Sequence, residues 1–159
     1  MEAVGVGDWL TDRPDPSTPN FDAAQRVYDR LILEDTIEYE TPGNALSRTL
    51  YKNLDMPWDA SPPVQEFAKE DMKWLEWNVN GLQAGEEDFF LGTERGSLEV
   101  LGKRCATMSM VTRWREAHPE LAHTQDDVIV KAVREFKELT GREEAEFGRS
   151  CVLILFKKR

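Results

Sequence analysis

The stretch TQDDVIVKAVREFKELTGREEAEFGRSCVLILF, residues 124–156, holds the two periodicities from which the fold is read. Val128, Ile129, Ala132, Val133, Phe136 and Leu139 recur at helical spacing and share one side, while Lys131, Arg134, Glu135, Lys137 and Glu138 take the other. Thr124 with Asp127 three residues later approximates a capping box, and Gly141 is the expected C-terminal stop. Cys151–Phe156 is a run of six apolar residues with no helical spacing. So short a run suits a buried or edge strand. A helix and a strand in one segment predict an α+β fold.

Just upstream, residues 109–117 read as a helix with Met110, Val111, Trp114 and Ala117 on one side, and His118-Pro119-Glu120-Leu121-Ala122-His123 as a turn. Helix, tight turn, second helix and a strand ending in Lys157-Lys158-Arg159 is the order of a helix-turn-helix with a wing. In that reading Lys131, Arg134, Lys137, Lys157, Lys158 and Arg159 are the candidate nucleic-acid-binding residues, because phosphates are met by basic side chains around a groove-bound helix. In element order alone, with no shared motif, the segment resembles the winged-helix ends of viral primase-helicases. Glu135, Glu138, Glu143, Glu144 and Glu146 would face the same phosphates, and two helices with a strand also make a packing unit that needs no ligand.

Working toward the N-terminus, residues 86–103 admit two readings. Phe89-Phe90-Leu91 and Leu98 to Val100 form a small hairpin around Gly92–Gly96, or a helix runs through Ser97 to Leu101. Before them, Val64, Ala68, Met72, Leu75, Val79 and Leu82 repeat every three or four residues, beside Phe67 and Trp74. With Ser61 as cap and Pro62 and Pro63 in the first turn, this stripe predicts a central core helix over 64–82. A short helix over 44–54 carries Leu46, Leu50 and Leu54. A helix opening after Asn20 carries Phe21, Ala24, Tyr28, Leu31 and Ile32. Residues 1–19, with Pro14, Pro16 and Pro19, read as an irregular arm. The expected architecture is therefore α-rich α+β, about five helices with a small sheet. Residues 20–159 form a single compact domain, an acidic helical body over 20–102 and a weakly basic winged-helix-like subregion over 103–159.

Composition narrows the function. The chain of 159 residues is 40% hydrophobic and carries a net charge of −10. That is enough apolar surface for a core without disulfides or metal. The balance is −13 over residues 1–102 and +3 over 103–159, so contact with nucleic acid is expected only in the C-terminal third. No apolar run is long enough to span a membrane and no secretory signal opens the chain, which suggests an intracellular protein, cytoplasmic or nuclear. Two cysteines exclude a disulfide framework. Cys105, His118, His123 and Cys151 have part of a zinc-finger spacing, but no second cysteine stands near Cys105, so no metal is expected. Cofactor motifs are absent too: there is no phosphate-binding glycine loop, and neither GxSxG nor HExxH occurs. General-base candidates among the imidazoles are His118 and His123, both in one turn. The sequence thus points to a non-enzymatic accessory protein whose C-terminal region touches nucleic acid or a replication or transcription partner. The alternative is an acidic interaction or inhibitor module, a mimic of nucleic acid in one form, that binds a basic protein partner through aromatics such as Trp9, Trp58 and Trp77.

Overall fold

The computed structural model describes residues 2–6, 13–79, 93–148 and 150–159. The chain forms two compact units, one from Met1–Asp12, Pro42–Gly92 and Arg149–Arg159, the other from Arg13–Thr41 and Thr93–Gly148. Among the described residues there are five α-helices and two small antiparallel sheets, the α+β class that the sequence predicts.

In the first unit, β1 (Glu2–Val6) and β3 (Lys73–Trp77) flank β6 (Cys151–Phe156), both antiparallel to it. The expected strand over Cys151–Phe156 is the central one. Val152, Ile154 and Phe156 point into a core shared with Leu50 and packed by Trp58, Phe67, Met72 and Trp74. Trp58 and Phe67 meet the Phe156 ring edge-on at 5.9 and 6.1 Å. The core helix expected over 64–82 does not form. Residues 64–72 are turns and a short 3₁₀ segment, and β3 follows. The physical reason lies in the start of this strand: Met72 and Trp74 pack on the core while Lys73 and Leu75, the latter 40% exposed, face away, a local alternation that breaks at the exposed Glu76. Five residues fit a period of 2 as well as one of 3.6, and pairing with β6, from Lys73↔Leu155 to Trp77↔Cys151, decides it. Leu82 and the proposed Phe89-Phe90-Leu91 strand lie outside the described residues. The helix α2 is shorter than the 44–54 expected. It spans Pro42–Arg48, and Leu50 and Tyr51 then adopt positive φ. Leu50 is nevertheless in the core, carried there by a turn rather than a helix.

In the second unit, the sheet order is β2 (Arg13–Pro14), β5 (Glu144–Gly148), β4 (Thr93–Ser97). Four helices accompany it: α1 (Phe21–Arg30), α3 (Leu98–Cys105), α4 (Ser109–Ala117) and α5 (Val128–Thr140). The helical reading of residues 97–101 is the one realised, with the Ser97 hydroxyl accepting from Val100 N–H. Ala24, Leu98, Phe136 and Ala145 form the core, with Leu101, Val133 and Phe147 against it. The helix α1 begins one residue after Asn20, as expected, but the Asn20 side chain does not cap it; its amide donates to the Leu139 carbonyl at 2.6 Å. It continues as a π-helical turn, Leu31–Asp35, and a 3₁₀ turn, Ile37–Tyr39. The cap of α5 is Asp127 and not Thr124, whose hydroxyl instead accepts from Asp126 N–H within the preceding loop. Gly141, at φ +64, ends α5 as expected.

The winged-helix arrangement is not what this topology contains. The strand that follows α5 is β5, which pairs with β2 and β4, whereas β6 pairs with β1 and β3 in the other unit. Strand pairing depends on partners distant in sequence, which element order alone cannot supply.

Candidate functional site

The side chains with most chemical capacity gather in the second unit, where α4 ends. The helix stops at Ala117 because His118 leaves helical geometry (φ −127°, ψ 59°) ahead of Pro119, a residue that disfavours helix in its predecessor. The His118 carbonyl accepts from the N–H groups of Leu121 and Ala122, both at 3.0 Å, which fixes the turn. Opposite it stands Tyr39, held on its 3₁₀ turn by two contacts. Its N–H donates to the carbonyl of Thr36, a fully buried residue whose own hydroxyl bonds the Leu31 carbonyl at 2.7 Å. Its carbonyl accepts from Nε of Arg113 at 2.7 Å. The Tyr39 hydroxyl and Nε2 of His118 are 3.0 Å apart. The imidazole packs on the buried Trp114 ring, centroids 4.8 Å apart, and its Nδ1 lies 3.8 Å from Oε1 of Glu120. The phenol and the imidazole are therefore in hydrogen-bond contact and half-buried, whereas the Glu120 carboxylate is 66% exposed.

The loop that carries His118 and Glu120 is anchored from its far end by Asp127. This carboxylate is fully buried and receives Nε of Arg115 at 2.7 Å, a second guanidinium N–H at 3.1 Å, His123 N–H at 2.9 Å and Ile129 N–H at 2.9 Å. Burial pushes its pKa up. The Arg115 hydrogen bonds, the two backbone N–H groups and the guanidinium charge outweigh burial and hold the pKa down at about 2. One residue thus caps α5, closes the loop and pairs with α4.

The same unit holds an open cleft of about 570 Å³ lined by Asp15, Ser17, Arg95, Arg142 and residues 143–146. Its walls carry both signs of charge. Arg95 pairs with Glu144 at 3.2 Å, and Arg142 donates to the Ser17 carbonyl at 3.2 Å.

The basic residues singled out in the sequence fall in both units, and five of them engage partners of their own unit. Lys131, Arg134 and Lys137 lie on α5 in the second unit, and Lys157, Lys158 and Arg159 follow β6 in the first. Lys131 pairs with Asp126 (3.4 Å) and Lys137 with Glu143 (2.6 Å), while Arg134 donates to the Gln125 carbonyl (3.4 Å). Lys158 pairs with Glu66 (3.4 Å), and Arg159 with Glu70 (2.6 Å) and Asp71 (2.8 Å). Among the described residues, no three His, Cys, Asp or Glu side chains converge as metal ligands, so Cys105, His118, His123 and Cys151 are not gathered into one centre. No described helix is long and apolar enough to cross a membrane. Of the site at the end of α4, the sequence singled out His118 alone. Tyr39, 79 residues away, carries no local signal that pairs it with an imidazole.

No protein-family model and no curated protein sequence matches the chain. Among solved structures, it is similar to that of "a Putative Type II Methyltransferase from Anaeromyxobacter dehalogenans", at 18% identity and a TM-score of 0.54. The match covers 92% of this chain and 48% of the other, so the chain spans about half the length of the structure it resembles. This finding corrects the functional expectation. The fold, over nearly the whole chain, is one found in a protein named as an enzyme, and the reading as a non-enzymatic accessory that contacts nucleic acid is withdrawn. The expectation that the chain is not an enzyme goes with it.

Proposed function

We propose that this chain is a unit of a methyltransferase, with the mixed-charge cleft of its second unit receiving a charged substrate. The observation that carries this reading is the likeness in fold to the Anaeromyxobacter protein across 92% of the chain. One local feature supports it. The cleft offers guanidinium groups from Arg95 and Arg142 beside the carboxylates of Asp15 and Glu146, which complement a ligand carrying both charges.

The test is direct. The purified chain is incubated with isotope-labelled S-adenosylmethionine, a sulfonium donor, and a panel of DNA, RNA and peptide acceptors, and transferred label is counted. Donor binding is followed in parallel by calorimetry. Label transferred to one acceptor class, or donor binding weakened by Arg142→Ala, supports the reading. Absence of both transfer and donor binding overturns it.

A further inference from the structure

We infer that the cleft of the second unit takes an α-amino-acid group, with the ammonium between Asp15 and Glu146 and the carboxylate on Arg142. The inference deepens the methyl-transfer reading and rests on it for the task of the cleft. Two sources carry such a group: a free amino acid, or the methionyl end of a sulfonium donor.

Strand pairing brings the charges together. Pro14 is fully buried, and Ala145 and Phe147 belong to the core, so the alternate residues Asp15, Glu144 and Glu146 turn to the cleft. The Asp15 N–H donates to the Glu146 carbonyl at 2.8 Å, and Glu146 pairs with Arg95 on its other side. Asp15 and Glu146 are thus cross-strand neighbours of like charge, both half-buried. That arrangement costs a sheet stability, and a cation between them relieves it. Arg95 is not that cation, because its guanidinium reaches Glu144 at 3.2 Å, and Glu143 is taken by Lys137 at 2.6 Å. Among the described residues, this leaves Asp15, Glu146 and Arg142 as the charged groups of the cleft without an ion pair.

Their spacing selects the ligand. Ser17 spans the gap: its N–H donates to Oδ1 of Asp15 at 2.8 Å, and its carbonyl accepts from the Arg142 guanidinium at 3.2 Å. Carboxylate and guanidinium therefore stand at the two ends of one residue. A free α-amino acid also carries its ammonium and carboxylate at the two ends of one residue, so alongside Ser17 it meets each charge with its opposite. The ammonium has three donors to share between Asp15 and Glu146, and the carboxylate matches the fork of Arg142. A phosphodiester would set its negative charge against Asp15 and Glu146, and a simple amine would leave Arg142 unused. Two carboxylates against one guanidinium leave one negative charge over, which suits a ligand with a second cation, such as a sulfonium.

Calorimetry on the full chain tests the inference with probes that differ in this one group. S-adenosylhomocysteine has the amino-acid end, and methylthioadenosine shares its nucleoside and thioether without that end. Free amino acids are titrated separately. Clear preference for S-adenosylhomocysteine over methylthioadenosine identifies the donor as the source, and binding of a free amino acid identifies the other. In either case Glu146→Gln and Arg142→Gln should each weaken binding by roughly 10–100-fold, the worth of a hydrogen bond to a charged group. Glu138→Gln, an equal change of charge on the exposed side of α5, should leave binding unchanged. Because it relieves the like-charge repulsion, Glu146→Gln should melt no lower than the wild type, so binding lost there is not fold lost. Binding indifferent to Glu146→Gln and Arg142→Gln overturns the inference. So does equal binding of the two nucleosides with no free amino acid bound, or no binding of any probe. Methyl transfer accompanied by either of the first two results leaves the methyltransferase reading standing. A chain that binds a free amino acid through these residues, yet neither transfers methyl nor binds donor, keeps the cleft as inferred and defeats that reading.

Discussion

Leu75 and Ile154 show how much one residue's environment depends on a partner strand. In the sequence Leu75 sits mid-stripe and looks like the heart of a helix, yet on β3 it is 40% exposed. Ile154, in the middle of β6, is fully buried between the core residues of its unit. Ile154→Ala should therefore cost about 2–5 kcal/mol through lost methylenes and a residual cavity. Leu75→Ala should cost less than about 1 kcal/mol, since most surface changes fall within a few tenths. Urea unfolding of both variants checks the order, and a larger cost at Leu75 would restore the helical reading. The site obeys the same limit. His118 was visible because the chain has only two histidines, whereas Tyr39 and Glu120 acquire meaning only once the chain has folded. Proximity across 79 residues leaves no trace in local spacing.

Among the elements, those that the sequence made legible are the ones whose signal is local. The helix α5 has thirteen residues, a clear apolar side and a glycine stop; it ends where expected but starts later, at Val128, capped by Asp127 and not by Thr124. The helix α4 and strand β6 keep their expected bounds. Failures fall where two periods fit the same residues, as in β3, or where a positive φ breaks a regular pattern, as at Leu50. Packing between elements is less legible still. Gly102 lets α3 approach α5 so closely that a Cβ there would stand 2.8 Å from Cγ2 of Val133. Valine in a helix has one strongly preferred rotamer and cannot easily swing away. Alanine is the better helix former by about 1 kcal/mol. Overpacking nonetheless costs about 1–3 kcal/mol, so Gly102→Ala should destabilise on balance. Adding Val133→Ala opens the space, and the double variant should then show a favourable coupling in a mutant cycle. A stabilised Gly102→Ala would mean that the helices move apart at no cost.

For the whole molecule the dominant fact is its acidity, −10 in net charge, and the way its basic side chains are used. Glu70 is held below its ordinary value by a backbone N–H and by Arg159, Glu99 by Lys103, and Glu135 by Arg30. Asp127 is lowered furthest, to about 2 from 3.8, because Arg115 and two backbone N–H groups outweigh its burial. A carboxyl whose folded pKa lies below its unfolded one adds stability that is complete above the unfolded pKa and lost as pH falls through the folded value. Every shift here has that sign. Stability toward urea should stay nearly level from about pH 7 to about pH 5 and then decline as the carboxylates begin to protonate in the unfolded chain. Asp127→Asn isolates the largest contribution. At neutral pH it should cost about 3 kcal/mol, the lower end for removing one partner of a buried pair, because an amide still caps the helix. The wild-type advantage should then shrink between pH 3.8 and about 2, the window set by the two Asp127 values, for as long as both proteins remain folded. A gap that stays constant across that window would show that the Asp127–Arg115 pair stabilises the loop through shape and hydrogen bonding alone, with no share carried by charge.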